Sequence, residues 1–309
     1  IPRQPGRSCL APLIGARGGV AGDFTVTRTG EDSFMVIGSG AAERYHRRFF
    51  AQVPLPEGTT WANRTEAMAG FNVAGPGARD LLGQLTDADL SNAAFPFFRS
   101  QQITVEGVDC LALRVSFTGD LGWELHCAVE DQARLYAALV EAGRPFGAGP
   151  VGSRALMSLR LEKGYGSWGR DYSPEYWPQE SGLAGLVRRD KAFLNRPAWE
   201  AIADAPPRET MVLLEIEAQE ADASGGEPVF LADGTPAGQV TSGGYGYFVE
   251  KSLALAYLKA GLAAPGDAVE VALLGRPHRA RVLARPPFDP EGARLRDRAP
   301  ASREAEPAE

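Results

Sequence analysis

From Val20 to Thr27 apolar and polar positions alternate, with Phe24 and Val26 on one face and Asp23, Thr25 and Thr27 on the other, the two-residue period of a half-buried strand. A turn at Gly30-Glu31-Asp32 leads into SFMVI, so the two runs predict a hairpin. Ala41 to Phe50 then carries helical spacing. After the Pro- and Gly-rich VPLPEG, the segment FNVAGPGARDLLGQL reads as strand, Gly-Pro-Gly turn and helix. A second hairpin is predicted in QQITVEGVDCLALRVSF, turning at Glu106-Gly107, and WELHCAV adds a strand after the tight TGDLG loop. Helical spacing from Asp131 to Ala142 stops at Gly143, and a further helix, about Val151 to Lys163, stops at Gly164; glycine suits the left-handed residue just past a helix end. Hairpins and helices mixed in this order predict an α+β layer fold for residues 1–205.

The period changes after Ala205-Pro206-Pro207. Strand-length runs recur at ETMVLLEI, EPVFLA, AGQVTSG, SLALAYL, DAVEVALL and RARVLA, separated by Gly or Pro turns and without a helical stretch. They predict a small all-β sandwich or barrel over residues 206–290. From about Glu291 to the end the sequence is charged and rich in Ala and Pro, which predicts a disordered tail over 291–309.

At 309 residues the chain has room for two domains. A formal net charge of −7 argues against a nucleic-acid partner, since phosphate binding needs a concentrated positive surface. No window approaches the roughly 18 consecutive apolar residues of a membrane-spanning helix. IPRQPGR lacks the basic-then-apolar order of a signal peptide. Three cysteines, Cys9, Cys110 and Cys127, lack metal-type spacing and read as reduced, buried thiols, so a cytoplasmic location is expected. His46, His126 and His278 stand apart from one another and from cysteine, and no metal site is expected. The opening isoleucine, with a strand pattern close behind it, reads as a fragment of a longer protein.

VIGSGAA, Val36 to Ala42, sets Gly38-x-Gly40 between a strand and a helix, as a dinucleotide site would. The third glycine position holds Glu43, whose carboxylate would face a pyrophosphate, and no parallel strand follows at βαβ distance. It reads as a strand-to-helix turn that glycine permits.

Asp23 raises a different question, because aspartate is depleted in strand interiors. Four segments bear on it: GGVAGDFTVTR, FTGDLGWELH, SLRLEKGYGSWGRDYSPEYWPQESGL and VTSGGYGYFVEKSLALAYL. In order and spacing they resemble the folate-binding aminomethyltransferase family, founded on the T-protein of the glycine cleavage system. The branch most similar is the C-terminal folate-binding region of dimethylglycine and sarcosine dehydrogenases, which shares the LRLEKGY…WG.D wording and a closing phrase, here PPFDPEGARLR from Pro286 to Arg296. The resemblance implies two α+β lobes that bind tetrahydrofolate, followed by a C-terminal β-barrel. It also implies that Asp23 is the acid beside the reacting folate nitrogen, with Thr25 further along the same face. The implied reaction captures a one-carbon unit at the formaldehyde level, from glycine, sarcosine or dimethylglycine, to give 5,10-methylenetetrahydrofolate. A carboxylate placed there accepts a proton and stabilises developing positive charge. The bland alternative for Asp23 is a solvated acid at a strand edge.

By the same resemblance Glu124 grips the pterin ring, whose adjacent donors suit a two-oxygen acceptor; the alternative is a cross-strand salt bridge. Tyr165 and Trp168 lie in the Gly-rich loop that borders the folate cavity in the family, or they are core packing. Arg160 and Glu162, two apart on a helix, point to different faces, and Arg160 is a ligand contact or a buried structural cation. The basic groups Arg44/His46/Arg47/Arg48 and Arg188/Arg189/Lys191 read as solvated faces.

Several positions depart from the family pattern. The usual N-terminal segment, whose strands would pair with GDFTVTR, is absent from this sequence, so an incomplete cavity and an unpaired edge are expected. Ile14-Gly15, Leu10, Ser39 and Phe117 stand where relatives carry polar or aromatic hydroxyl groups, which implies weaker folate binding. No flavin fingerprint occurs in the sequence. FAD therefore enters only through a dehydrogenase domain or subunit outside it, a partner the resemblance implies alongside folate and a small methylamine-derived donor. A folate-binding module without chemistry, or a truncated remnant, is the alternative.

Overall fold

The computed structural model describes residues 1–297; residues 298–309, most of the expected tail, lie outside the described residues. By their internal contacts the described residues form two compact units, one of 1–61 and 153–287, the other of 62–152 and 288–297. Contacts thus group the chain differently from a single cut at residue 205, because residues 62–152 interrupt the first unit and the segment after Pro287 joins them.

The first unit opens with a three-stranded antiparallel sheet in the order β1 (Arg7–Ile14), β2 (Val20–Arg28), β3 (Phe34–Ile37). β2 and β3 form the expected hairpin, with Thr25 opposite Ile37. The expected unpaired edge on β2 is overturned. β1 pairs with it along its length, Pro12 standing opposite Asp23, so β2 is the central strand. RSCLAPLI carries no clean alternation and contains a proline, which a strand tolerates at a sheet edge, where β1 lies. α1 (Glu43–Gln52) follows.

Chain from the second half of the sequence completes this unit. It comprises α4 (Ser153–Glu162), a long loop, the short α5 (Arg196–Glu200) and a closed six-stranded barrel. The barrel strands are β8 (Glu209–Ile216), β9 (Pro228–Phe230), β10 (Pro236–Gly246), β11 (Lys251–Lys259), β12 (Ala268–Leu273) and β13 (Arg276–Leu283), in the order β10-β11-β8-β13-β12-β9. Leu214, Val229, Val240, Ala254, Ala256, Val271 and Val282 fill its interior. Closure removes every sheet edge. α4 lies against the outside of the barrel through Leu161, which packs with Leu213 and Leu255.

The second unit is a four-stranded antiparallel sheet in the order β4 (Met68–Ala74), β7 (Gly122–Ala128), β6 (Val108–Leu113), β5 (Ser100–Val105). The β5–β6 hairpin turns at Glu106-Gly107, both at positive φ, the two-residue geometry whose twist matches the flanking strands. One sheet face, with Cys110, Ala112, Trp123, Leu125 and Cys127, packs in a single core with Leu81 and Leu82 of α2 (Ala78–Gly83) and Leu135 and Leu139 of α3 (Gln132–Gly143). The expected tail is ordered at its start. Ala293–Arg296 form a helical turn, α6, with Leu295 buried and Arg294 stacked over Phe288.

Candidate active site

Two glycines before β2 allow the chain to approach its neighbours. Gly18 has φ +81°, and a side chain there would meet the Ala198 carbonyl and Ile202; a Cβ on Gly19 would collide with the Pro174 carbonyl. The Val20 amide donates to the Tyr176 carbonyl over 2.9 Å. The GG of GGVAGD is therefore a crossing point, where the loop after α4 passes over the start of β2. Asp23 follows three residues after that crossing.

Asp23 is half-buried, and burial raises its carboxyl above the ordinary aspartate range against the smaller opposing pull of its own backbone amide. No side chain hydrogen-bonds it or forms an ion pair with it among the described residues. Thr25 is half-buried two residues along, on the same face. On the other face His46 of α1 packs edge-on to Phe24, ring centroids 4.8 Å apart. Its Nε2 lies 2.9 Å from where a Gly22 Cβ would stand. This nitrogen is buried without a partner, and burial lowers the pKa of the ring, opposed by the Ala21 backbone.

The loop after α4 is anchored by a fully buried ion pair. Arg160 donates to Asp171 over 2.6 Å and to the Tyr165 carbonyl over 2.9 Å. Asp171 also accepts from the Ser167 amide at 2.9 Å and from the Thr241 and Ser242 hydroxyls at 2.6 Å each. Burial pulls the Arg160 guanidinium below its usual value while Asp171 opposes the shift. Arg160 is thus the structural cation of the two readings open to it. Glu162 is buried as well and accepts the Phe248 amide at 2.9 Å. The expectation that the two residues leave the helix in different directions holds.

Trp168 stacks on Tyr45 (6.0 Å, 23°) and leans on His46 (5.2 Å), so it closes the aromatic side of β2. Tyr165 is half-buried at the head of the loop. The loop carries a further residue on which the sequence reading placed no role, Tyr172. Its ring covers Gly166, where a Cβ would stand 2.5 Å from Cζ and 2.8 Å from the hydroxyl oxygen. Burial first, then the charges of Asp23 and Asp171, push the phenol up to about 12, while the Gly166 amide, hydrogen-bonded to it, works the other way. The signal was a third aromatic residue, in WGRDY, at the far end of the same glycine loop.

Glu124 belongs to the second unit. It is half-buried on β7, between the fully buried Trp123 and Leu125, as the alternation required. Asn72 of β4 stands opposite it. Its partner is not a cation across the sheet but His126 on its own strand, with Nε2···Oε2 at 3.3 Å. Gly70 faces His126 and leaves room for the imidazole. Asn72, Glu124 and His126 make a polar patch on the sheet face opposite the core. The clusters at Arg188 and Arg189 are exposed and paired with Asp190 and Asp204, as solvated faces. Among the described residues no three His, Cys, Asp or Glu side chains converge as a metal would require, and no helix is long and apolar enough to cross a membrane.

Comparison with known proteins gives concordant matches. A family profile described as "GCVT N-terminal domain" matches residues 1–191, and one described as "Glycine cleavage T-protein C-terminal barrel domain" matches residues 210–289. The chain is 33% identical to dimethylglycine dehydrogenase, mitochondrial, of Mus musculus over 300 residues, covering 96% of this chain and 34% of that protein. It is 35% identical to an aminomethyltransferase of Thermus thermophilus over 285 residues, covering 87% of this chain and 75% of that protein. The fold matches the crystal structure of glycine cleavage system aminomethyltransferase T from Bartonella henselae with a TM-score of 0.79 at 24% identity, over 93% of this chain and 77% of that one. The chain thus spans about a third of the length of the dimethylglycine dehydrogenases it matches.

Proposed function

Because the chain belongs to the aminomethyltransferase family of glycine cleavage T-proteins, a folate-dependent family, we propose that it is the one-carbon transferase part of a dimethylglycine- or sarcosine-oxidising enzyme. Its product would be 5,10-methylenetetrahydrofolate. The observation that carries the reading is Asp23, a carboxylate held half out of water without a side-chain partner. A structural acid would be paired or solvated; an acid kept unpaired in a desolvated place is free for an incoming donor.

The residues fit a reduced folate. Tetrahydrofolate supplies, when bound, a nucleophilic nitrogen that captures the one-carbon unit. Asp23 would accept the hydrogen bond from that N–H and take its proton as the new C–N bond forms and the carbon's bond to its former amine nitrogen breaks, the proton leaving with the released amine, or with water when formaldehyde is the donor. Its raised affinity for protons brings it closer to working pH than an ordinary aspartate. Thr25 offers a hydroxyl on the same face. Glu124, which His126 holds at 3.3 Å on β7, offers within its own unit two acceptor oxygens of the kind that the adjacent N–H and amino donors of a pterin take. Trp168 and Tyr165 frame the loop that borders the acid. Support for a dehydrogenase partner comes from the mouse and human dimethylglycine dehydrogenases, of which this chain matches only a third.

Asp23→Asn is the decisive variant. Calorimetric titration with tetrahydrofolate should give an affinity within a few-fold of wild type. Formaldehyde capture should fall by roughly 10²–10⁴-fold, the usual contribution of a positioned acid–base group. Glu124→Gln should weaken folate binding by about tenfold, as expected for a lost charge-assisted hydrogen bond. Wild-type capture by the Asp23 variant would sink the assignment.

A further inference from the structure

We infer that His126 is a positioning residue for folate binding: its Nε2–H holds the Glu124 carboxylate in one orientation and so sets the affinity for a ring edge that presents two adjacent N–H donors. The inference rests on Glu124 being the pterin acceptor of the proposed function.

The pair is built by β7 and its two neighbours. Residues two apart on a strand share a face, and Glu124 and His126 meet on the face opposite the core with Nε2 3.3 Å from Oε2. On the β6 side stand Leu113 and Leu111, both buried, which have no hydrogen bond to give. On the β4 side stand Asn72, which is exposed, and Gly70. Gly70 admits the imidazole, since a Cβ there would lie 3.1 Å from Nδ1 and 3.3 Å from Cε1. Among the described residues no other side chain bonds to the Glu124 carboxylate. The His126 side chain is 13% exposed and that of Glu124 28%. His126 is thus the packed member of the pair and Glu124 the open one.

The chemistry follows from the donor inventory. An ionised carboxylate only accepts, so Nε2 carries the proton in either charge state of the ring. At 3.3 Å the contact lies at the long end of N–H···O bonds. It occupies one lone pair of Oε2 and leaves Oε1 and the second lone pair of Oε2 to a ligand. A glutamate without such a partner samples several rotamers and must be ordered when a ligand arrives. His126 does that ordering beforehand, because packing fixes its own ring. The freedom of one immobilised side chain corresponds to about two- to tenfold in affinity.

The test is calorimetric titration of the whole chain with tetrahydrofolate. His126→Phe keeps a flat ring and removes the donor, and should weaken binding by about three- to tenfold. His126→Gln, whose amide can still donate, should recover affinity to within about twofold of wild type. In a Glu124→Gln background, His126→Phe should change the affinity by less than about twofold, because residues that act through one contact are not additive. In turnover, His126→Phe should raise the KM for tetrahydrofolate by the factor lost in binding and leave kcat within about twofold, the signature of lost uniform binding. Wild-type affinity in folded His126→Phe overturns the inference. So does a full loss repeated in the Glu124→Gln background, or a His126→Gln variant no better than His126→Phe. Were His126→Phe unfolded, His126→Leu decides in the same way. A wild-type protein that does not bind tetrahydrofolate would sink the proposed function and this inference with it; a wild-type protein that binds, with no loss in the His126 variants, would sink the inference alone.

Discussion

Asp23 shows how one residue can weaken the fold it sits in for the sake of what it can do. Its folded carboxyl holds a proton more tightly than it would in the unfolded chain. Between the unfolded and the folded pKa the native state therefore binds more protons than the unfolded state, and stability falls as pH rises through that window. Asparagine of the same shape removes the charge that burial penalises. Asp23→Asn should accordingly melt a few degrees higher at pH 7, and the gap should narrow at pH 4, as the wild-type carboxyl takes up its proton. Differential scanning calorimetry at the two pH values checks it; a variant less stable at pH 7 would mean that the carboxylate is structurally paired. His46 follows the same logic with opposite charge, since burial favours its neutral form.

At the scale of elements, the loop between α4 and α5 matters more than its irregular backbone suggests. Asp171 ties it at once to α4 through Arg160 and to β10 through Thr241 and Ser242. Tyr257 of β11 adds a hydroxyl donated to the Asp171 carbonyl at 2.9 Å. Removing one partner of such a pair leaves a charge stranded in low dielectric. Asp171→Ala should cost about 3–5 kcal/mol in urea unfolding, far more than breaking an exposed pair such as Arg189–Asp204. A loss below 1 kcal/mol would show that Arg160 finds another partner. The sequence wording LRLEKGY…WGRD marks both ends of this latch, Arg160 and Asp171, but nothing in a linear pattern says that they meet.

The whole molecule is not ordered along its sequence. The unit that contains Asp23 is assembled from residues 1–61 and 153–287, and the unit that contains Glu124 from 62–152 with the C-terminal segment. Within the second unit the segment after Pro287 is fastened to its own partners. Arg79 pairs with Asp297, Asn92 donates to the Asp297 carbonyl at 2.8 Å, and Arg296 stacks over Phe97 at 5.4 Å. Leu295 is the buried anchor. Leu295→Ala should lower the stability of this unit by about 2–5 kcal/mol, whereas Asp297→Ala, with a half-exposed partner pair, should cost under about 1 kcal/mol. Hydrogen exchange resolves the two units: faster exchange is expected in β4 to β7 and unchanged exchange in the barrel. Equal change in both would show that the segment stabilises more than its own unit.

Alternation and turn residues by themselves determined most of the strands. The β2–β3 and β5–β6 hairpins, the six barrel strands and the inward Trp123 and Leu125 around an outward Glu124 follow from a period of two, which is local and survives in any tertiary context. The acid at position 23 also stood out, because aspartate conflicts with the strand around it. What the fold alone decided are meetings that no local pattern marks: β1 as partner of β2 despite Pro12, Asp171 joined to Thr241 and Ser242, and Trp168 against Tyr45 and His46. None of these has a local signature. Burial and charge depend on which segments are brought together, and the chain brings together residues more than a hundred positions apart.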